Sequence, residues 1–180
     1  VDLVIPRGSA ELIRSVVDEA TVPTIETGAG VCHVYVDKSA DFKKAIAILI
    51  NSKCDRASVC NAAETLLIHQ DIAEDFTPIA LEELTKSGVI INADTKSKVI
   101  ADKSGIKVNL AVQDSWSTEY GTLEINVAQV SDVLGALDHI ARYGTKHTEA
   151  IVASDQDAIA KFTSLNDCAA IMVNASTRFT

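Results

Sequence analysis

The chain reads as an α/β protein built on a parallel sheet, and three observations carry that reading. Apolar runs of strand length alternate with stretches of helical period along the whole sequence. Helix-start residues stand between the two kinds of segment, with Ser9, Ser131 and Ser154 as caps and Asp71 with Glu74 as a capping box. Hydrophobic residues make up 47% of 180, enough to fill a core and to argue against a disordered chain.

"VDLVIP" reads as a buried strand closed by the "PRGS" turn. A helix from Ser9 to about Ala20 places Leu12, Ile13, Val16 and Val17 on one face. "VPTIE" is a short strand, "TGAG" a turn that exposes backbone, and "VCHVYVD" a further strand. A helix over about 41–51 carries Phe42, Ala45, Ile46 and Leu49 at helical spacing, and "ETLLIH" is the next strand. The long helix after Asp71 repeats Ile72, Phe76, Ile79, Ala80 and Leu84, ends at Gly88, and leads into the strand "VIINAD". Residues 93–118 read as polar and irregular, with one strand at "KVNLAV". Beyond them come the strand "GTLEINVAQV", a helix with Val133, Leu137 and Ile140, the strand "TEAIVAS", a helix with Ile159, Phe162 and Leu165, and the strand "AAIMVNAS". A domain boundary is expected between the 41–51 helix and "ETLLIH", with a second sheet beyond it and the intervening loop in the cleft.

The net charge of −9 argues against binding a phosphate backbone, which needs clustered Lys and Arg. No apolar run approaches the ~20 residues needed to span a bilayer, and no signal peptide is visible. Cys32, Cys54, Cys60 and Cys168 are scattered, with no metal-ligand spacing. A reduced, cytoplasmic chain is expected, without metal, nucleic acid or membrane partners. Val1 is not a methionine and Thr180 stops without a cap or tail, so the chain reads as a piece of a longer polypeptide.

Free cysteines are mostly buried and inert. Cys60 departs from that pattern because it sits in a polar loop, "KCDRASVCN", with Lys53 and Arg56 nearby; positive charge favours the thiolate. Glu26 ends a strand before "TGAG" and lies 34 residues before Cys60; it is a base or a turn residue. His147 falls in a loop between a helix and a strand, and Arg178 offers a two-pronged donor suited to a carboxylate or phosphate.

The E-x-G-x-G turn of Glu26, Gly28 and Gly30, followed by a helix and a loop cysteine, resembles the aldehyde dehydrogenase superfamily. "VDLVIPRGS", "GVCHVYVD", "SVCNAAETLLIH", "ALDHIARYGTKHTEAIV" and "VNASTRF" narrow the resemblance to the γ-glutamyl phosphate reductase family, over essentially all of the chain. The block from Val130 to Ile151 is the most specific part.

The resemblance implies an aldehyde dehydrogenase-like fold. Residues 1–55 would be the C-terminal part of a Rossmann-like NADP-binding domain, and 56–180 a catalytic domain cut at its C-terminal end. It implies reduction of L-glutamyl 5-phosphate by NADPH to glutamate 5-semialdehyde and phosphate, in proline biosynthesis, with Cys60 as nucleophile through a thioester. By the same carry-over Arg56, Asn61, His147, Asn174, Thr177 and Arg178 contact substrate, and Gly8 and Ser9 form the cofactor-phosphate turn. The parent would be a homo-oligomer, working with or fused to a glutamate 5-kinase. Ala57 stands where the family usually has proline. The family extends beyond both ends of this chain, so the isolated chain is expected to fold without turnover. Two other readings are a non-catalytic module of the same fold and an acylating dehydrogenase that uses coenzyme A.

Overall fold

The computed structural model describes every residue except Ser9, Glu26 and Thr27, so the Ser9 and Glu26 assignments lie outside the described residues. Its elements are α1 (Ala10–Glu19), β1 (Cys32–Val36), α2 (Phe42–Cys54), β2 (Ala63–His69), α3 (Ala73–Lys86), β3 (Ile90–Ala93), α4 (Thr95–Lys103), β4 (Asn109–Leu110), β5 (Glu124–Val130), α5 (Val133–Tyr143), β6 (Thr148–Val152), α6 (Gln156–Leu165) and β7 (Ala170–Val173). The strands form one parallel sheet in the order β4-β3-β5-β2-β1-β6-β7.

Parallel strands joined by helices are covered on both faces, and the period of two then sends neighbouring residues to different cores. Val34 and Val36 of β1, with Leu66 and Ile68 of β2, pack with α2, α3 and α4 through Ala45, Leu49, Phe76, Leu81, Leu84 and Ile100. Tyr35 and Leu67, between them in sequence, pack on the opposite face with Ala136 and Ile140 of α5 and Phe162 of α6. Every residue of β1, β2 and β6 is buried.

Several sequence expectations change. Among the described residues, "VDLVIP" and "VPTI" form no strand and meet through one parallel bridge, Val4 to Thr24. Asp132 and Asp155, not Ser131 and Ser154, cap α5 and α6. A carboxylate accepts two N–H groups there and also opposes the positive end of the helix dipole. The Asp71–Glu74 capping box is absent: a short 3₁₀ turn at Gln70–Ile72 precedes α3, and the Asp71 N–H donates to His69 Nδ1. The stretch read as irregular holds α4, capped by Asp94. Its polar composition hid it, since Ile100 and Ala101 are the main apolar residues it buries. β1 pairs with β2 on one side and β6 on the other, so one sheet runs across the position where a second was expected to begin.

On the α5 face, His139 lies edge-on to His33 and Trp116 and beside Tyr143. Burial, with smaller repulsion from His33 and Arg142, pushes its pKa down to about 3. A depressed imidazole pKa means the unfolded chain binds the extra proton below its ordinary value near 6.5. This contribution to stability is therefore complete above pH 6.5 and is lost as pH falls toward 3. We expect His139→Phe to flatten that loss: its urea midpoint should gain on the parent's as pH drops from 7 to 4.5. Parallel curves for the two proteins would show that His139 is not held neutral.

Candidate active site

Because β2, β1 and β6 are adjacent and parallel, their first residues share one edge of the sheet. The loop from α2 to β2 arrives at this edge, turning through an Ala62 N–H to Val59 carbonyl bond. Cys60 lies on that loop, three residues before Ala63, the first residue of β2, and its side chain is exposed. Cys32 is buried, and Cys54 and Cys168 are half-buried. Burial raises all three of those thiols: Cys168 to about 11, Cys32 further, and Cys54 upward despite Lys53. Nucleophilic thiolate is thereby suppressed at these three positions.

Four contacts hold the loop. The Cys32 thiol donates to the Cys60 carbonyl at 3.3 Å. Gly30 packs on the same carbonyl so closely that a Cβ there would sit 1.5 Å from its oxygen, which explains the last glycine of the E-x-G-x-G turn. Lys53 Nζ and Glu64 Oε2, one on each side of the loop, meet at 2.7 Å with both side chains fully buried. Arg178 donates through Nη1 to Asn61 Oδ1, and its Nε lies 3.4 Å from Asp55. A fifth tie lies deeper: Ser52 Oγ bonds Ser176 Oγ and accepts the Thr177 N–H, which seats the turn that presents Arg178.

His147 comes to the same edge. Its Nδ1 is 2.8 Å from Thr148 Oγ1 and 4.0 Å from Cys32 Sγ, which puts it beside the group that holds Cys60. Arg56 is exposed on the loop. Thr177 is fully buried, with its N–H already used by Ser52. Asn174 is not brought to this edge. It follows the end of β7, and a parallel sheet puts strand ends opposite strand starts. Its amide is committed to the Ala153 N–H and carbonyl, which pins β6 to β7. Lys53 also departs from expectation: its ammonium serves Glu64 in the interior rather than standing free beside Cys60. Gly8 precedes α1 at φ 152, a region that favours glycine, and a Cβ there would meet Leu12 at 2.6 Å.

Gly30, Cys32, Asp55 and Ser52 were not legible as site residues. Gly30 alone had a signal, its place in the glycine turn. The other three act through tertiary contacts between residues 28 to 125 positions apart in sequence.

With limiting iodoacetamide at pH 8, mass spectrometry should find Cys60 alkylated first. Faster labelling of Cys54 or Cys168 would overturn the ranking. Gly30→Ala should lower stability by ~1–3 kcal/mol, since the added methyl must displace backbone. A variant with an unchanged urea midpoint would mean that the approach to Cys60 is looser than described.

No family model matches the chain. Among curated proteins, it is 54% identical over 179 residues to a γ-glutamyl phosphate reductase of Caldicellulosiruptor bescii, covering 99% of this chain and 43% of that protein. It is 51% identical over 180 residues to one of Thermobifida fusca, covering 42% of it. Among solved structures, the γ-glutamyl phosphate reductase of Thermotoga maritima superposes with a TM-score of 0.96 at 47% identity, over all of this chain and 42% of that one. An acetylating aldehyde dehydrogenase of Geobacillus thermoglucosidasius shares the fold, with a TM-score of 0.73 at 22% identity over 99% of this chain and 47% of that one. The chain thus spans about 43% of the length of the curated relatives it matches, and over that span it is similar throughout to γ-glutamyl phosphate reductases.

Proposed function

We propose that this chain carries the thiol half-site of an NADPH-dependent reductase that converts L-glutamyl 5-phosphate to glutamate 5-semialdehyde and phosphate. The observation that carries the reading is Cys60: the exposed thiol of the four, on a loop tied down on both sides, with Arg56 and Arg178 on or against that loop. The Cys60 thiolate attacks the acyl carbon, the carbon–oxygen bond to phosphate breaks, and phosphate leaves with the electron pair and takes up a proton. Asn61 Oδ1 is occupied by Arg178, which leaves its amide N–H groups to donate to the developing oxyanion. Arg56 suits the departing phosphate, and Arg178 the substrate's carboxylate or phosphate. His147 contacts the substrate from the start of β6. Thr177 acts by holding the turn before Arg178.

The Gly8 turn suits a cofactor phosphate: it precedes a helix start, and its backbone at φ 152 favours glycine. Ser9 is assigned to the same contact. NADPH, when bound, supplies the hydride that takes the thioester to the aldehyde and returns the thiolate. In this reading the join between the cofactor-binding and catalytic parts, expected at 55/56, is moved to the glycine turn before β1; the pairing of β1 with β2 and β6 supports the move. A kinase step that makes the acyl phosphate must feed this site. This 180-residue stretch is not expected to turn over by itself, because one phosphate contact does not orient a nicotinamide.

The test is NADPH oxidation driven by glutamyl phosphate in the full-length protein that carries this stretch. Cys60→Ala should abolish it, and Arg178→Lys should lower kcat/KM by ~10–100-fold, the worth of a charge-assisted hydrogen bond. Turnover that survives Cys60→Ala would overturn the assignment. Activity that appears with an acyl-coenzyme A but not with the acyl phosphate would reassign the substrate.

A further inference from the structure

We propose that the buried ion pair between Lys53 and Glu64 is a positioning device for Cys60, a clamp that closes the loop presenting the nucleophile. The proposal rests on the reading of Cys60 given above. Lys53 lies in the last turn of α2, and Glu64 is the second residue of β2. Eleven positions separate them in sequence, and the loop with Cys60 is the chain between them. Their 2.7 Å contact therefore fixes the distance between the loop's two ends.

Stability alone is a poor account of the pair. Two charges stripped of water cost more than their attraction returns unless every remaining polar atom is satisfied, and apolar residues of equal volume often do as well. Besides Lys53, the backbone N–H groups of Tyr120 and Gly121 act on the Glu64 carboxyl, but among the described residues no hydrogen bond of full geometry reaches its Oε1, so that side of the pair is weakly satisfied. Burial raises the Glu64 carboxyl to about 7 even with Lys53 opposing the shift, which agrees with a pair that is costly to keep. An ion pair does what an apolar contact does not: it fixes one atom of α2 against one atom of β2. The other contacts act on the loop's middle and flank, through Cys32 and Gly30 on Cys60 and through Arg178 on Asp55 and Asn61. Without the clamp at its ends, the loop would be held at those points alone.

The experiment uses the full-length protein with three changes: Lys53→Met with Glu64→Leu together, Glu64→Gln, and Cys60→Ala. Thermal midpoint, kcat, KM and hydrogen exchange of the amides at 56–61 are measured for each. The double variant should keep most of the parent's thermal midpoint. Its kcat should fall by at least ~10-fold with KM little changed, as expected for a misplaced nucleophile, and the loop amides should exchange faster. A double variant with parental kcat and parental exchange would overturn the clamp. Should the double variant not fold, Glu64→Gln decides: it keeps the volume and a hydrogen bond to Lys53 but not the opposite charge. A fall in kcat with faster exchange in that variant supports the clamp, and parental values for both overturn it. Activity that persists in Cys60→Ala would remove the nucleophile from the account, while the exchange rates of the other two variants still decide whether the pair closes the loop.

Discussion

The register of β1 between β2 and β6 is the constraint on which the rest of the molecule depends. It aligns Cys32 with Ala63 and His33 with both Thr65 and Glu149. Two strand starts are thereby set beside a third, and the loops that enter them meet at one edge. The alignment is held by backbone pairing and by burial on both faces, so it cannot slip by one residue without turning Tyr35 out of the α5 face and Val34 out of the α3 face. Open parallel sheets usually bind ligands at the ends of their strands. The exposed cysteine here sits at their beginnings.

Polar groups are concentrated along that edge in spite of the cost of burial. Glu149 Oε2 accepts from the His33 N–H and faces His33 Nδ1, with both side chains fully buried. Lys53 and Glu64 form the second buried pair. Both pairs join elements that flank the site. Directional contacts are what a site of this kind requires, because a small displacement of a reacting atom costs far more in rate than a few apolar contacts return in stability.

Helix and strand order was legible because it rests on local signals. Hydrophobic period, turn glycines and cap residues place β1, α2, β2, α3, β3, β5, α5, β6, α6 and β7 close to where the structure has them. The failures are instructive. α4 was missed because a helix that buries little more than Ile100 and Ala101 has almost no apolar period. The first residues were overread as a strand because an apolar run says nothing about whether a partner strand is in reach. Serine caps were assigned where the next residue, an aspartate, holds the N–H groups. Neighbouring cap candidates are separated by backbone angles, which sequence does not display.

The sequence by itself determined the α/β class, the family resemblance and the cysteine to examine, since each depends on residue identity and spacing within short segments. Only the tertiary structure decided which groups surround that cysteine. Gly30 against its carbonyl, Cys32 beneath it, Arg178 across from Asn61 and Lys53 turned inward to Glu64 are contacts made by folding. So is the separation of Asn174 from the site, although it stands four residues from Arg178. The physical reason is the parallel sheet: it brings together residues more than a hundred positions apart at one edge and sends near neighbours in sequence to opposite ends of the same strand.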